Sequence, residues 1–335
     1  MSTYIAPVID LVPETHPEAD LLKIVRVKSW TVCIRTADWI NEDGSLKHKK
    51  AAYIEPDTLV PLKREEFKWL ITSGLAKETD TQYRVKAKRL RKVPSFGFLI
   101  PVADDIPVDT NMWDELQLER WQPPEPADNG QSVKAPRRDF AKYDIENIKN
   151  YEYFTEGEEV YIFEKIHGQN MRASFQEDQV YVGSRSLWKA DCEGSDFWRS
   201  FRSVPGLEKL IKENPHLCPF GESYGNVGGF PYDCQPGERK FAGFDIFDMN
   251  ELRWFNPQEL LDICKKYDVP TAPLLYHGAF SMAKTLELAE GKSTLNKNHV
   301  REGVVVSPAV DRRCGIGHGQ RCKLKCVGLG YLEKS

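Results

Sequence analysis

Along the first third of the chain, apolar residues tend to fall two apart. LLKIVRVKSWTVCIRTA (residues 21–37), AAYIEPDTLVPL (51–62), YRVKAKRLRKV (83–93) and FGFLIPV (96–102) are rich in β-branched and aromatic residues and are separated by turn formers, so they read as strands. Only REEFKWLITSG (64–74) carries helical spacing. Several short strands and one helix in this span predict a small closed or partly open barrel of the OB type. From Trp121 the pattern dissolves into WQPPEPADNGQSVKAPRRD, whose Pro, Gly and polar residues read as a linker. Beyond it EEVYIFEK, NMRASF, QVYVGSRS, CPFGESYG, KFAGFDIF, REGVVVSP and QRCKLKCV read as strands, with helices at GLEKLIKEN and NPQELLDICKKYD. The last helix is signed by Asn256 as N-cap, Pro257 at its first position and Glu259 completing a capping box, with Leu260, Leu261 and Cys264 as its buried stripe. Strands and helices mix without a βαβ repeat, which favours α+β with antiparallel sheets.

The length of 335 residues fits two domains. The pattern divides them into 1–122, a linker 123–140, and 141–335. A formal net charge of −4 gives no global basic excess, so a nucleic-acid partner has to be met by a local patch. Charged residues at 29% and hydrophobic ones at 41% exclude wholesale disorder, collagen and coiled coil. No apolar run suits a membrane span, and the N-terminal stretch has no Lys or Arg before Lys23 and no apolar secretory core, so a cytoplasmic protein is expected. The eight cysteines form no CxxC pair and read as free, mostly buried thiols. Cys314, Cys322 and Cys326 with His318 fit no common metal spacing. Nothing demands more than a monomer.

The chemistry concentrates around Phe163-Glu164-Lys165-Ile166-His167-Gly168-Gln169-Asn170. A lysine ending an apolar-alternating strand, with Gly168 permitting close backbone approach, can face a bound phosphate. On KIHG alone a solvated hairpin lysine is the better reading, since four residues match by chance often.

The wider pattern resembles motif I of the covalent nucleotidyltransferases, in particular the ATP-dependent RNA ligases with KxHGxN or KxDG. GSRS with Arg185 is similar to the segment that follows it; FGESYG with Glu222, GFDIF with Phe244, REGVVV with Glu302 and KLK with Lys323 and Lys325 resemble the later motifs, in the family's order. A β-rich domain ahead of motif I makes the arrangement most similar to the family-five RNA ligases, with an N-terminal OB domain. The resemblance implies an OB-type barrel followed by a nucleotidyltransferase domain. It also implies sealing of RNA 3′-hydroxyl and 5′-phosphate ends at duplex nicks, through lysyl-AMP and RNA-adenylate.

On this resemblance Lys165 is the nucleophile, assisted by Lys323 and Lys325. Its ammonium pKa has to fall from about 10.4, through desolvation, a metal cation, or the charge of those two lysines. Their spacing of two on a strand puts both on one face, with Leu324 turned to the core. Glu164, Lys165, His167, Asn170, Arg185, Glu222, Phe244, Glu302, Lys323 and Lys325 are implied to line the ATP site. Within it Glu222 takes the ribose hydroxyls, Phe244 stacks on adenine, and Glu302 holds Mg2+ or Mn2+ through water. Arg185, His167 and Asn170 are implied to engage phosphates and the RNA end. One departure is Ser307, where the family often has lysine; Arg301 or another cation takes its place, or a phosphate contact is missing.

Arg84, Lys86, Lys88, Arg89, Arg91 and Lys92 put six basic residues into nine. On one strand Arg84, Lys86 and Lys88 share a face that either tracks an RNA backbone or guards a solvated edge. Trp30, Phe96 and Phe98 are either stacking platforms or core. The rival readings are a DNA ligase, a GTP-dependent capping-type transferase, and a catalytically silent RNA-end-binding protein. His167, where those other enzymes usually carry Asp, leans towards an RNA ligase.

Overall fold

A computed structural model describes residues 5–28, 30–121, 132–135, 143–226, 229–314 and 320–333. The chain divides into two compact units, Met1–Pro124 with Leu332–Ser335, and Glu125–Tyr331. No helix among the described residues is long and apolar enough to cross a membrane.

The first unit is built of short antiparallel pairings. Leu22–Val27 and Trp30–Arg35 form a hairpin with Pro13–Thr15 at its edge; Lys50–Ile54 lies between Val8–Asp10 and Phe98–Pro101; Thr58–Pro61 lies between Glu119–Arg120 and Gln82–Arg84. Ile54, Val60, Leu62, Phe67, Leu70 and Ile100 make up the centre of its core. The helical stretch appears as a 3-10 turn, Glu65–Phe67, followed by Trp69–Thr72. A Cβ on Gly97 would lie 2.0 Å from the Ile54 carbonyl oxygen, so only glycine lets the chain turn tightly against that strand. Trp30 and Phe96 are core, their ring centroids 4.6 Å apart.

The basic segment is not the single strand that alternation suggests. Gln82–Arg84 belongs to one sheet, and Ala87–Leu90 pairs with Val93–Phe96 in a separate hairpin. Arg91 and Lys92 form its two-residue loop with φ of 44° and 69°. Both central residues are thus left-handed, the primed geometry that matches strand twist but that Asn or Gly adopts more cheaply.

Part of the expected linker is also structured. Ser132–Val133 pairs with Trp188–Lys189 as the edge of a seven-stranded sheet, while 123–131 and 136–140 lie outside the described residues. That sheet continues through Gln179–Ser184, Gln169–Gln176, Leu217–Gly225, Arg239–Asp248 and Arg253–Trp254, antiparallel throughout. A five-stranded sheet runs Glu146–Asn147, Leu324–Val327, Gly303–Pro308, Glu159–Lys165, Leu274–Ala279. Among the described residues its one parallel pairing joins Glu146–Asn147 to Leu324–Lys325.

Strand alternation gives each sheet two apolar jobs. Met171, Ala173 and Val182 pack with the helices Asp196–Arg202, Pro205–Glu213 and Pro257–Tyr267. Val160, Ile162, Val304, Val306, Leu324 and Cys326 form a core behind the five-stranded sheet, and the helix Met282–Ala289 packs there through Met282, Leu286 and Ala289. Tyr161 and Phe163 from one sheet meet Tyr224 and Ala242 from the other, so the two sheets face each other across a cleft. The helix 257–267 opens with Pro257, and the Glu259 carboxylate accepts the Asn256 backbone N–H at 2.7 Å. Leu260 and Cys264 are buried, whereas Leu261 is only partly covered and packs on the cleft side. All eight cysteines are thiols, five of them buried, and His318 lies outside the described residues.

Candidate active site

Directly paired residues of antiparallel strands share a face. Lys165 pairs with Gly303, Phe163 with Val305, and Val305 with Lys325, so Lys165 and Lys325 project from the cleft face of the five-stranded sheet. Their neighbours Leu324 and Cys326 point into the core behind. A Cβ at Gly303 would stand 2.1 Å from the Cys326 carbonyl oxygen, so the position opposite Lys165 has to be glycine. Gly168 is equally constrained, with only 2.4 Å from its would-be Cβ to the Ser223 carbonyl oxygen. That close approach brings the KIHG turn against the strand that bears Glu222.

The Lys165 ammonium lies 2.7 Å from Glu302 Oε1. Burial works to lower its pKa, but the charge of Glu302 and the bond to it, joined by Glu222 at pH values where that carboxyl is ionised, outweigh it, and the net shift is upward. Of the expected causes of a depressed pKa, burial is present, and in this pocket Glu302 offsets it. Glu222, partly exposed but set deep in the cleft, is pushed up to about 8 by desolvation despite the nearby ammonium, which favours a neutral carboxyl at pH 7. Asn170 pairs with Glu222 across the strands, and its Oδ1 is buried without a hydrogen-bond partner.

His167 is held by two tyrosines. Its backbone N–H donates to the Tyr232 hydroxyl at 2.8 Å, and its Nδ1 lies 2.9 Å from the Tyr331 hydroxyl. Desolvation lowers its pKa and favours the neutral ring.

Two expected members of the site are otherwise engaged. Glu164 alternates to the face opposite Lys165, is 1% exposed, and accepts hydrogen bonds from Ser293 Oγ (2.5 Å), Thr294 N (2.9 Å) and Thr294 Oγ1 (2.6 Å). Its carboxylate anchors the Ser293–Thr294 segment on the face away from Lys165. Lys323 stands just before its strand, buried, with its ammonium 2.7 Å from Asp245 Oδ2 and 2.8 Å from the Phe244 carbonyl oxygen. Asp245 also pairs with Arg321, which covers the Trp254 ring at 4.5 Å, so Lys323 belongs to a paired charge cluster and is not a loose cation. Burial lowers its pKa.

Phe244 is partly buried, its ring centroid 4.8 Å from that of Tyr143. Arg185 follows its strand and lies 3.9 Å from Asp144. Ser307 is buried with an unpartnered hydroxyl. Arg301 does not take the place of the lysine absent there, because its guanidinium donates to the carbonyls of Leu288 and Lys292. Asp245, Arg321, Tyr232 and Tyr331 escaped the sequence reading. Asp245 adjoined a motif residue and Arg321 preceded KLK, but nothing local marked the tyrosines.

The oxygens of Glu302, Glu222 and Asn170 suit a hard divalent cation. Among the described residues no three His, Cys, Asp or Glu side chains gather as a metal cluster. Glu302 would therefore hold such an ion with water and phosphate oxygens completing its shell.

In the N-terminal unit the basic residues separate by partner. Arg84 lies 2.7 Å from Asp57 and 3.3 Å over the Trp121 ring, Arg89 pairs with Glu333, and Lys92 with Glu18. Lys86, Lys88 and Arg91 are exposed and have no ion-pair partner among the described residues.

The sequence model of the RNA ligase family matches residues 158–327, half of the chain and all of the cleft strands that bear these residues. The chain belongs to the RNA ligase family. An OB-fold domain model matches residues 7–102 of this ligase. No curated protein matches the sequence. Among solved structures, the apo form of a lysine-to-alanine mutant of Naegleria gruberi RNA ligase superposes with a TM-score of 0.80 at 20% identity, covering 100% of this chain and 99% of that one. Another lysine-to-alanine mutant of that enzyme, with ATP and Mn, gives 0.79 at 21%, covering 99% of each chain. The same enzyme with PPi gives 0.78 at 22%, covering 98% and 97%. The fold of this ligase is thus shared over its whole length.

Proposed function

We propose that this ligase uses ATP and a divalent cation, Mg2+ or Mn2+, to join RNA 3′-hydroxyl and 5′-phosphate ends at duplex nicks in the cytoplasm. The single observation that carries the reading is the pairing of half-buried Lys165 with buried Glu302 at 2.7 Å, with Glu222 beside it. Naegleria gruberi RNA ligase mutants solved with ATP and Mn, and with AMP and Mn, support the choice of nucleotide and ion. A divalent ion bound by Glu302 supplies neutralising charge to the nucleotide phosphates.

In the resting pocket Glu302 keeps Lys165 protonated and unreactive. Once that proton has passed to solvent, Nζ attacks the α-phosphorus of ATP, the N–P bond forms as Nζ gives up a second proton to solvent, and the bond to the β-phosphate oxygen breaks, releasing pyrophosphate. Lys325, on the same sheet face, offsets charge developing on the phosphate oxygens. Glu222, as a neutral carboxyl, both donates to and accepts from the ribose hydroxyls. Phe244 offers a ring to adenine, and His167, Asn170 and Arg185 engage phosphates. An oxygen of the RNA 5′-phosphate then attacks the same phosphorus and frees Lys165, which regains a proton. Finally the RNA 3′-hydroxyl oxygen attacks the 5′-phosphorus, losing its proton to solvent while AMP departs. Residues 141–335 carry this chemistry; residues 1–122 contact the RNA backbone through Lys86, Lys88 and Arg91.

The test is intact-mass measurement of purified protein after incubation with ATP or GTP and Mg2+ or Mn2+, with Lys165→Ala alongside. One added AMP, absent from the variant, is expected, followed by sealing of RNA nicks in preference to DNA nicks. A GMP adduct would point to capping-type chemistry. No adduct with either metal would leave an RNA-end-binding scaffold.

A further inference from the structure

One wall of the cleft beside Lys165 is built from aromatic rings. The Phe230 ring centroid lies 4.7 Å from that of His167 and 5.4 Å from that of Tyr331, so Phe230 wedges the imidazole and the phenol together. The Tyr331 hydroxyl meets Nδ1 of His167 at 2.9 Å, while the Tyr232 hydroxyl holds the His167 backbone N–H at 2.8 Å.

Tyr331 is itself firmly placed. It sits on the short helix Leu329–Leu332, whose first N–H groups are taken by the Glu290 carboxylate, Leu329 N at 2.6 Å and Gly330 N at 3.3 Å. A Cβ on Gly328 would come within 2.4 Å of the Ala289 carbonyl oxygen, so the chain enters this helix pressed against the end of Met282–Ala289. The hydroxyl is therefore delivered to Nδ1 by a docked backbone.

A neutral imidazole carries one proton, and the partner of one nitrogen decides which nitrogen bears it. A phenol O–H is a good donor, and imidazole nitrogen is the strongest neutral acceptor among side chains. We propose that Tyr331 is a positioning residue for the ligase reaction, donating to Nδ1 of His167 and so fixing the tautomer whose Nε2–H is offered to a substrate phosphate oxygen. The proposal rests on the reading above that His167 engages phosphate. It assigns a part in the chemistry to a residue outside every motif of the sequence.

The test uses full-length protein labelled with 15N-histidine, the His167 signals being assigned by their loss in His167→Asn. Wild-type protein is expected to show Nδ1 unprotonated and Nε2 protonated, and Tyr331→Phe, which removes a single oxygen, a mixture of tautomers. The same variant is expected to slow formation of the AMP adduct about tenfold, the worth of one good hydrogen bond. It should have no further effect in a His167→Asn background. A wild-type ring protonated on Nδ1, or a Tyr331→Phe penalty of equal size with and without His167, would overturn the proposal. Wild-type protein that forms no adduct would count instead against the proposed function, since the tautomer measurement judges Tyr331 without it.

Discussion

In the C-terminal unit Lys323 is buried and Lys165 half-buried, each answered by a carboxylate at 2.7 Å; in the N-terminal unit Lys86, Lys88 and Arg91 stand in water and have no such partner among the described residues. The same side-chain chemistry is thus put to two uses. Removing water strengthens each charge's hold on its neighbours, so one substitution in the cleft is felt by the whole cluster. Hydrated charges act one at a time and are screened by salt, so their effects are small and add. Arg84 divides the two regimes: it lies in the basic segment of the first unit yet is stacked and paired like a core residue.

The contrast is broken most sharply at Glu302. Glu302→Gln keeps the shape and frees Lys165 of its ion pair, but removes the carboxylate proposed to hold the divalent ion, and formation of the AMP adduct should fall about a hundredfold to a thousandfold, as for loss of a preorganised electrostatic group. Single-turnover kinetics by intact mass would show it, and an unchanged rate would remove Glu302 from the chemistry. Glu164→Ala strands the donors of Ser293 and Thr294 and should cost about 3 kcal/mol of stability in urea denaturation. A change in nucleotide affinity with stability intact would return Glu164 to the binding site.

Arg84→Ala, losing a half-buried ion pair and a cation–π contact, should destabilise the protein by about 2 kcal/mol. The salt dependence of RNA binding should not move; if it does, Arg84 leaves Asp57 for phosphate. The smallest effect is expected from Lys86→Ala with Lys88→Ala. RNA affinity measured against salt concentration should lose about 0.9 of logarithmic slope per contact removed, with adduct formation untouched. Equal loss of both activities would mean that the hairpin supports folding instead.

The strands of the second unit were readable because their alternation is uninterrupted: 158–165 and 240–247 each match an observed strand to within a residue or two. That Lys165 and Glu302 share one cleft was readable through the ordered motifs. What was not readable depends on contacts distant in sequence. Asp245 recruits Lys323 across 78 residues and Tyr331 reaches His167 across 164, and no local pattern encodes either meeting. The segment 84–92 misled because alternation alone cannot show that the pairing partner changes between Arg84 and Ala87. KLK was placed on one strand, but the strand starts at Leu324, since Cys322 and Lys323 follow the edge of the separate Arg313–Cys314 and Gln320–Arg321 hairpin.

Glu164 and Lys165 are adjacent, yet one is fastened to Ser293 and Thr294 behind the sheet and the other opens into the cleft. A slip of the strand by a single residue would exchange them, driving an ammonium into the Ser293–Thr294 niche and leaving a carboxylate to meet the triphosphate. The anchored glutamate therefore works as a keyway: the address of Lys165 is set by a lock on the reverse of the sheet, and sequences that alter the niche at Ser293 can misplace that lysine without touching anything in the cleft.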